Sequence, residues 1–133
     1  MDEKTILEDY FASKRQETIT HIENLYNFFM SHQEKYKSEA KHLTVYPTKR
    51  MNNILSYANE LILSAKDSAL IYYDREIKKL RDYLGQKPAA MLLRTITPYT
   101  SQRASIIHQS TIVLFTHTIE LVKTVMASEK AKW

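Results

Sequence analysis

The run Arg103-Ala-Ser-Ile-Ile-His108 sets an arginine and a histidine five residues apart, and such a pair can hold a phosphate and move a proton in RNA cleavage. Residues suited to other reactions are sparse. Glu39 and His42 have the Glu-x-x-His spacing of a carboxylate di-iron bundle, but that centre needs a second copy on a facing helix and the chain holds none. The histidines, His21, His32, His42, His108 and His117, include no i, i+4 pair of the zinc-protease kind. Neither a metal nor a cofactor is expected. The cations offer a different chemistry, attraction of a polyanion. Arg75, Lys78, Lys79 and Arg81 cluster in under two helical turns, Lys49 and Arg50 precede them, and Lys87, Arg94 and Arg103 follow. Thr95, Thr97, Thr100, Ser101 and Gln102 add donors for phosphate oxygens. Asp74, Glu76 and Asp82 can pair with neighbouring bases at helical spacing, which would leave a solvated face instead.

The composition narrows what can position these groups. The chain has 133 residues, which fits one domain spanning 1–133 with one real core. One glycine, three prolines and 44% hydrophobic residues leave too few turn formers for a barrel or sandwich of short strands, so the expected class is all-α. With Gly85 alone, neither a Rossmann fingerprint nor a Walker phosphate loop can be written. A nucleophile elbow for serine hydrolysis needs a strand, a turn and a helix, which such a chain does not supply. Zero cysteines remove disulfides, thiolate metal sites and cysteine nucleophiles. The start Met-Asp-Glu-Lys-Thr has no apolar stretch behind it, and the longest apolar run, Ile112 to Phe115, is far short of the ~20 residues of a membrane span. No membrane partner and a cytoplasmic location are expected.

The net charge of +4 is unevenly placed. Residues 1–43 carry eight acids against six bases, whereas residues 44–103 carry ten bases against five acids. Residues 83–119 contain no Asp or Glu at all. The cationic middle is the least ordinary feature of the chain.

Hydrophobic spacing places these charges on helices. Leu7, Phe11, Thr18, Ile22, Leu25, Phe29 and Tyr36 alternate steps of three and four, which predicts a helix over residues 4–36 capped by Asp2. Residues 38–46 read as a linker. Pro47 and Thr48 open a second helix whose stripe is Met51, Ile54, Leu55, Ala58, Leu61, Ile62, Ala65, Ala69, Tyr72, Ile77, Leu80 and Leu84. Gly85 closes it as a left-handed C-terminal residue. Asp67-Ser68 offers an internal cap that would split this segment in two; one long helix is the preferred reading. Residues 88–96 read as a short helical turn, and Pro98 starts a last helix with apolar positions Ile106, Ile107, Val113, Leu114, Leu121, Val122 and Val125. Tyr57, Tyr73, Tyr83 and Tyr99 fall off or at the edge of the stripes. No internal repeat is visible. The expectation is an antiparallel bundle of three long helices plus a short one, four-helix-bundle-like.

Two family resemblances attach to these features. Arg103-x4-His108 resembles the R-x4-H signature of the HEPN ribonucleases, which are small and all-helical. That resemblance would assign Arg103 to phosphate contact and His108 to acid–base catalysis. The chain as a whole is similar to the small helical subunit of Cascade-type CRISPR effector complexes. The size, the basic all-helical design and the segment His42-Leu-Thr-Val-Tyr-Pro-Thr-Lys-Arg50 before the next helix carry this likeness. It implies a subunit that catalyses nothing and sits beside other protein subunits, with further copies of itself. It would contact RNA or DNA phosphates of guide–target duplex or displaced strand, while base pairing reads sequence. Lys49, Arg50, Arg75, Lys78, Lys79, Arg81, Lys87, Arg94 and Arg103 are the expected contacts. The expected function is thus a non-catalytic nucleic-acid-backbone-binding subunit, with an Arg103/His108 ribonuclease and a structural coat or scaffold bundle as alternatives.

Overall fold

The computed structural model describes residues 3–40, 48–86 and 96–132. Three long helices, α1 (Glu3–Ala40), α2 (Thr48–Gly85) and α3 (Ser101–Lys130), follow one another, with a single π-helical turn at Ile96–Thr100 leading into α3. α2 is antiparallel to both neighbours, since Glu8 meets Arg81 and Arg15 meets Asp74 while Arg50 meets Glu129. α1 and α3 run parallel, with Thr18 beside His108 and Glu39 beside Lys130. α2 and α3 share the most extensive contact and α1 lies against both.

Burial recurs every eleven residues on each helix. Leu7, Thr18 and Phe29 form one such series on α1, and Phe11, Ile22 and Gln33 another. Ala58, Ala69 and Leu80 repeat the interval on α2, as do Ala104, Phe115 and Met126 on α3. Eleven residues over three turns is close to the natural period of an α-helix. The helices can therefore face one another over their whole length without the left-handed coiling that a seven-residue repeat imposes. The sequence itself shows no repeat because different residue types fill equivalent positions.

The core falls into two clusters. Phe29, Leu55, Ile62, Phe115, Ile119 and Met126 belong to the larger, towards the C-terminal ends of α1 and α3. Leu7, Phe11, Tyr73, Ile77, Leu80, Leu84 and Ile107 form the smaller. Between them lies a buried polar layer, Thr18, His108 and Thr111.

Several expectations are corrected. α1 continues through Ala40, so residues 38–40 are helical; nothing in Ser-Glu-Ala breaks a helix, and Glu39 is held to Lys130 of α3. Gly85 has no positive φ; the chain instead leaves α2 through a turn in which the Gln86 N–H donates to the Tyr83 carbonyl at 3.2 Å. Asp67 and Ser68 lie inside one uninterrupted α2. Pro98 lies within the π-helical turn, and the α-helix begins at Ser101. Ile106, Val113, Leu114, Leu121 and Val125 are exposed, and α3 buries Ala104, Ile107, His108, Thr111, Ile112, Phe115, Ile119, Val122 and Met126 instead. Leu61 is exposed and Tyr73 fully buried. The linker residues 41–47, the Asp2 cap and the short helical turn expected over 88–96, apart from Ile96 itself, fall outside the described residues.

Candidate functional site

The cationic candidates divide between two ends of the bundle. Lys49 and Arg50 open α2, and the Arg50 guanidinium is paired with Glu129 near the end of α3. Arg75 lies twenty-six residues further on, roughly 40 Å along the helix at ~1.5 Å per residue. A single short strand of nucleic acid cannot touch both groups through a local patch. Lys87 and Arg94 lie outside the described residues.

At the Gly85 end the four cations of α2 spread around the exposed arc. Arg81 turns to α1, where it pairs with Glu8 at 3.1 Å and stands over the Phe11 ring at 5.1 Å. Lys79 pairs with Glu76 at 3.0 Å and lines a groove between α2 and α3. Arg75, four residues before Lys79 and so on the same side, stands over its neighbour Tyr72. Lys78 is exposed between them and has no ion pair among the described residues.

That groove, of about 210 Å³, is lined by Glu76, Lys79, Leu80, Tyr83, Tyr99, Arg103 and Ile107. The Tyr83 and Tyr99 rings lie 5.4 Å apart and tilted by 43°. Arg103 is exposed and brings its charge from the first turns of α3 to the cations of α2. The arrangement therefore joins aromatic faces to Arg and Lys side chains, the two kinds of group that hold a single strand by stacking and by phosphate attraction. Of the expected hydrogen-bond donors nearby, Gln102 is exposed and Ser101 half-buried, whereas Thr100 is fully buried, its hydroxyl without a hydrogen-bond partner among the described residues, and is not available to a ligand.

Arg103 and His108 occupy different surroundings. Five residues turn a helix by about 140°, so the two side chains leave α3 on different sides. His108 is buried against α1, its Nδ1 2.7 Å from the Thr18 hydroxyl and its ring 5.8 Å from that of His21. The Thr18 hydroxyl donates to the Lys14 carbonyl at 2.9 Å, which uses its only proton. With that proton on the Lys14 carbonyl, the tautomer that satisfies both contacts carries hydrogen on His108 Nδ1, which donates to Thr18 and leaves Nε2 bare in the neutral ring. Burial holds the His108 pKa below the ordinary value, reinforced by Lys14 and His21 and opposed by Glu17. Tyr73, facing the same layer, is pushed up to about 12 by burial, which outweighs the opposing contact of its hydroxyl with Thr18.

A second cationic groove lies at the opposite end, between α1 and α3, and no local spacing signals it because its two halves are some ninety positions apart. His32, Lys35, Glu39, Lys123, Thr124 and Lys130 line about 440 Å³ there. Burial lowers the His32 pKa, and Lys123 and Lys35 lower it further. These lysines stand in the last turns of two parallel helices, where they complement the negative helix ends. Among the described residues no group of three or more His, Asp or Glu could hold a metal ion, and no helix is long and apolar enough to cross a membrane.

Compared with known proteins, the chain matches no family model, no curated protein and no solved structure.

Proposed function

We propose that this chain is a non-catalytic helical bundle that binds nucleic-acid backbone as one subunit of a larger ribonucleoprotein assembly, of the CRISPR effector small-subunit kind. The observation that carries the reading is the α2/α3 groove, where Lys79, Arg103, Tyr83 and Tyr99 converge with Arg75 and Lys78 alongside. Supporting it is the charge pattern, since residues 83–119 contribute no carboxylate to oppose a phosphate. Glu76 is the one acid in the groove, and it is engaged by Lys79. Arg81 and Arg50 pair across helices and act in this reading as ties rather than as contacts, whereas the Lys79 pair is an exposed one within α2 that a phosphate can displace.

The test is an anisotropy titration of the full chain with labelled single-stranded RNA and DNA at two salt concentrations, with the strands recovered afterwards. Weak, sequence-independent binding that falls steeply with salt, and intact strands, are expected. Absence of binding at low salt would overturn the proposal. Shortened RNA, with cutting lost in a folded His108→Ala variant, would instead assign the chain to the Arg103/His108 ribonuclease reading.

A further inference from the structure

The exposed side of α3 carries a second apolar stripe that the bundle does not use. Val113 is 62% exposed and Leu121 58%, with Leu114, Val125 and Ile106 close behind. The eleven-residue interval fixes where this stripe lies. Leu114 and Val125 follow Arg103 at one and two intervals, so they share its direction, towards the α2/α3 groove. On α2, Leu61 stands two intervals before Tyr83, and Tyr57 stands two before Lys79, both of which line that same groove. With α2 and α3 antiparallel and Tyr83 beside Tyr99, Leu61 comes level with Leu121, and Tyr57 with Val125. One largely apolar surface of Tyr57, Leu61, Val113, Leu114, Leu121 and Val125 results, with exposed His117 between Val113, Leu114 and Leu121, and it continues the groove away from its cationic end.

We infer that this surface is where a second copy of the chain docks, face to face across a two-fold axis. Size is the first reason. The six side chains expose roughly 600 Å², at the top of what a monomer ordinarily shows; with a polar rim that approaches the ~800 Å² per partner of a stable dimer. Composition is the second. All six residues are apolar or aromatic and none is charged, as in interfaces between identical subunits; transient interfaces with other proteins are more polar. Charge is the third, because a two-fold interface sets like against like, and a patch whose members include no Lys, Arg, Asp or Glu meets itself without the repulsion such groups would bring. The two-fold would seat a helix of each copy beside the α2/α3 pair of the other, in the place a fourth bundle helix occupies. Both cationic grooves would stay open at the outer ends of the dimer. The inference does not rest on nucleic-acid binding.

Sedimentation velocity of the full chain without nucleic acid, over a concentration series from a few to several hundred micromolar, tests it. The expected result is a mass that rises to that of two chains and no further. Leu121→Glu combined with Val125→Glu, at exposed positions that leave helicity and melting unchanged, is expected to raise the dissociation constant about 100-fold or more. A wild-type chain monomeric throughout, or a mass growing beyond two chains, would overturn the inference. So would a dimer that persists unweakened in the double variant.

Discussion

At the scale of single residues, the most constrained group is His108. Its Nδ1 lies 2.7 Å from a Thr18 hydroxyl that donates to Lys14, and burial disfavours the charged ring within the layer that separates the two core clusters. Replacing Thr18 by valine keeps the shape but leaves the Nδ1 hydrogen without an acceptor, a loss of about 1–3 kcal/mol in urea unfolding. The pH dependence follows from the direction of the shift. His108 and His32 are both held below the ordinary histidine value of 6.5, with burial the largest cause for each. As pH falls below 6.5 the unfolded chain takes up protons before the folded one does, so stability declines from there through the folded pKa values. Glu39 and Glu129 add a second decline at lower pH. Lys130 holds Glu39 below the usual carboxylate range; at Glu129, Lys132 and Arg50 outweigh an opposing desolvation. The midpoint of urea unfolding measured between pH 7 and 5 is expected to fall in the wild type and to fall less in a His108→Leu variant; equal slopes would contradict the placement of His108.

At the scale of the helices, what could be read from the sequence depended on how many apolar faces a helix has. α1 has one, and Leu7, Phe11, Thr18, Ile22, Phe29 and Tyr36 are buried as their spacing predicts, with Leu25 of the same stripe half-buried against the core. α3 has two, and spacing cannot say which turns inward. Val113, Leu114 and Leu121 face out, while Ile107, Ile112, Phe115, Ile119, Val122 and Met126 turn inward together with Ala104, His108 and Thr111. Truncation separates the two faces. Phe115→Ala, at a fully buried position, is expected to cost about 3–5 kcal/mol of unfolding free energy, and Val113→Ala no more than about 0.5 kcal/mol in the monomer. A comparable loss at both positions would contradict the observed facing of α3. The single long α2 was legible because its apolar period runs through Asp67-Ser68 without a break.

At the scale of the whole molecule, the sequence marked a cationic middle, and the fold sorts it into groups with different roles. Arg50 and Arg81 meet Glu129 and Glu8, carboxylates seventy or more positions away that no local spacing relates to them. Arg75, Lys78, Lys79 and Arg103 gather instead at one end, beside two tyrosines that lie sixteen positions apart in the chain. In the proposed reading, polyanion binding is a property of one end of the bundle, and exposed Tyr57, Leu61, Leu121 and Val125 lie away from it.

The salt dependence of single-stranded RNA binding tests that claim most directly, compared between the wild type, a Lys78→Glu/Lys79→Glu/Arg103→Glu variant and a Lys49→Glu variant at the other end of α2. The triple variant is expected to lose affinity, with a slope of log K against log salt shallower by about 0.7 for each phosphate contact removed, while Lys49→Glu leaves both close to wild type. Equal binding and equal slopes in the wild type and the triple variant would contradict it.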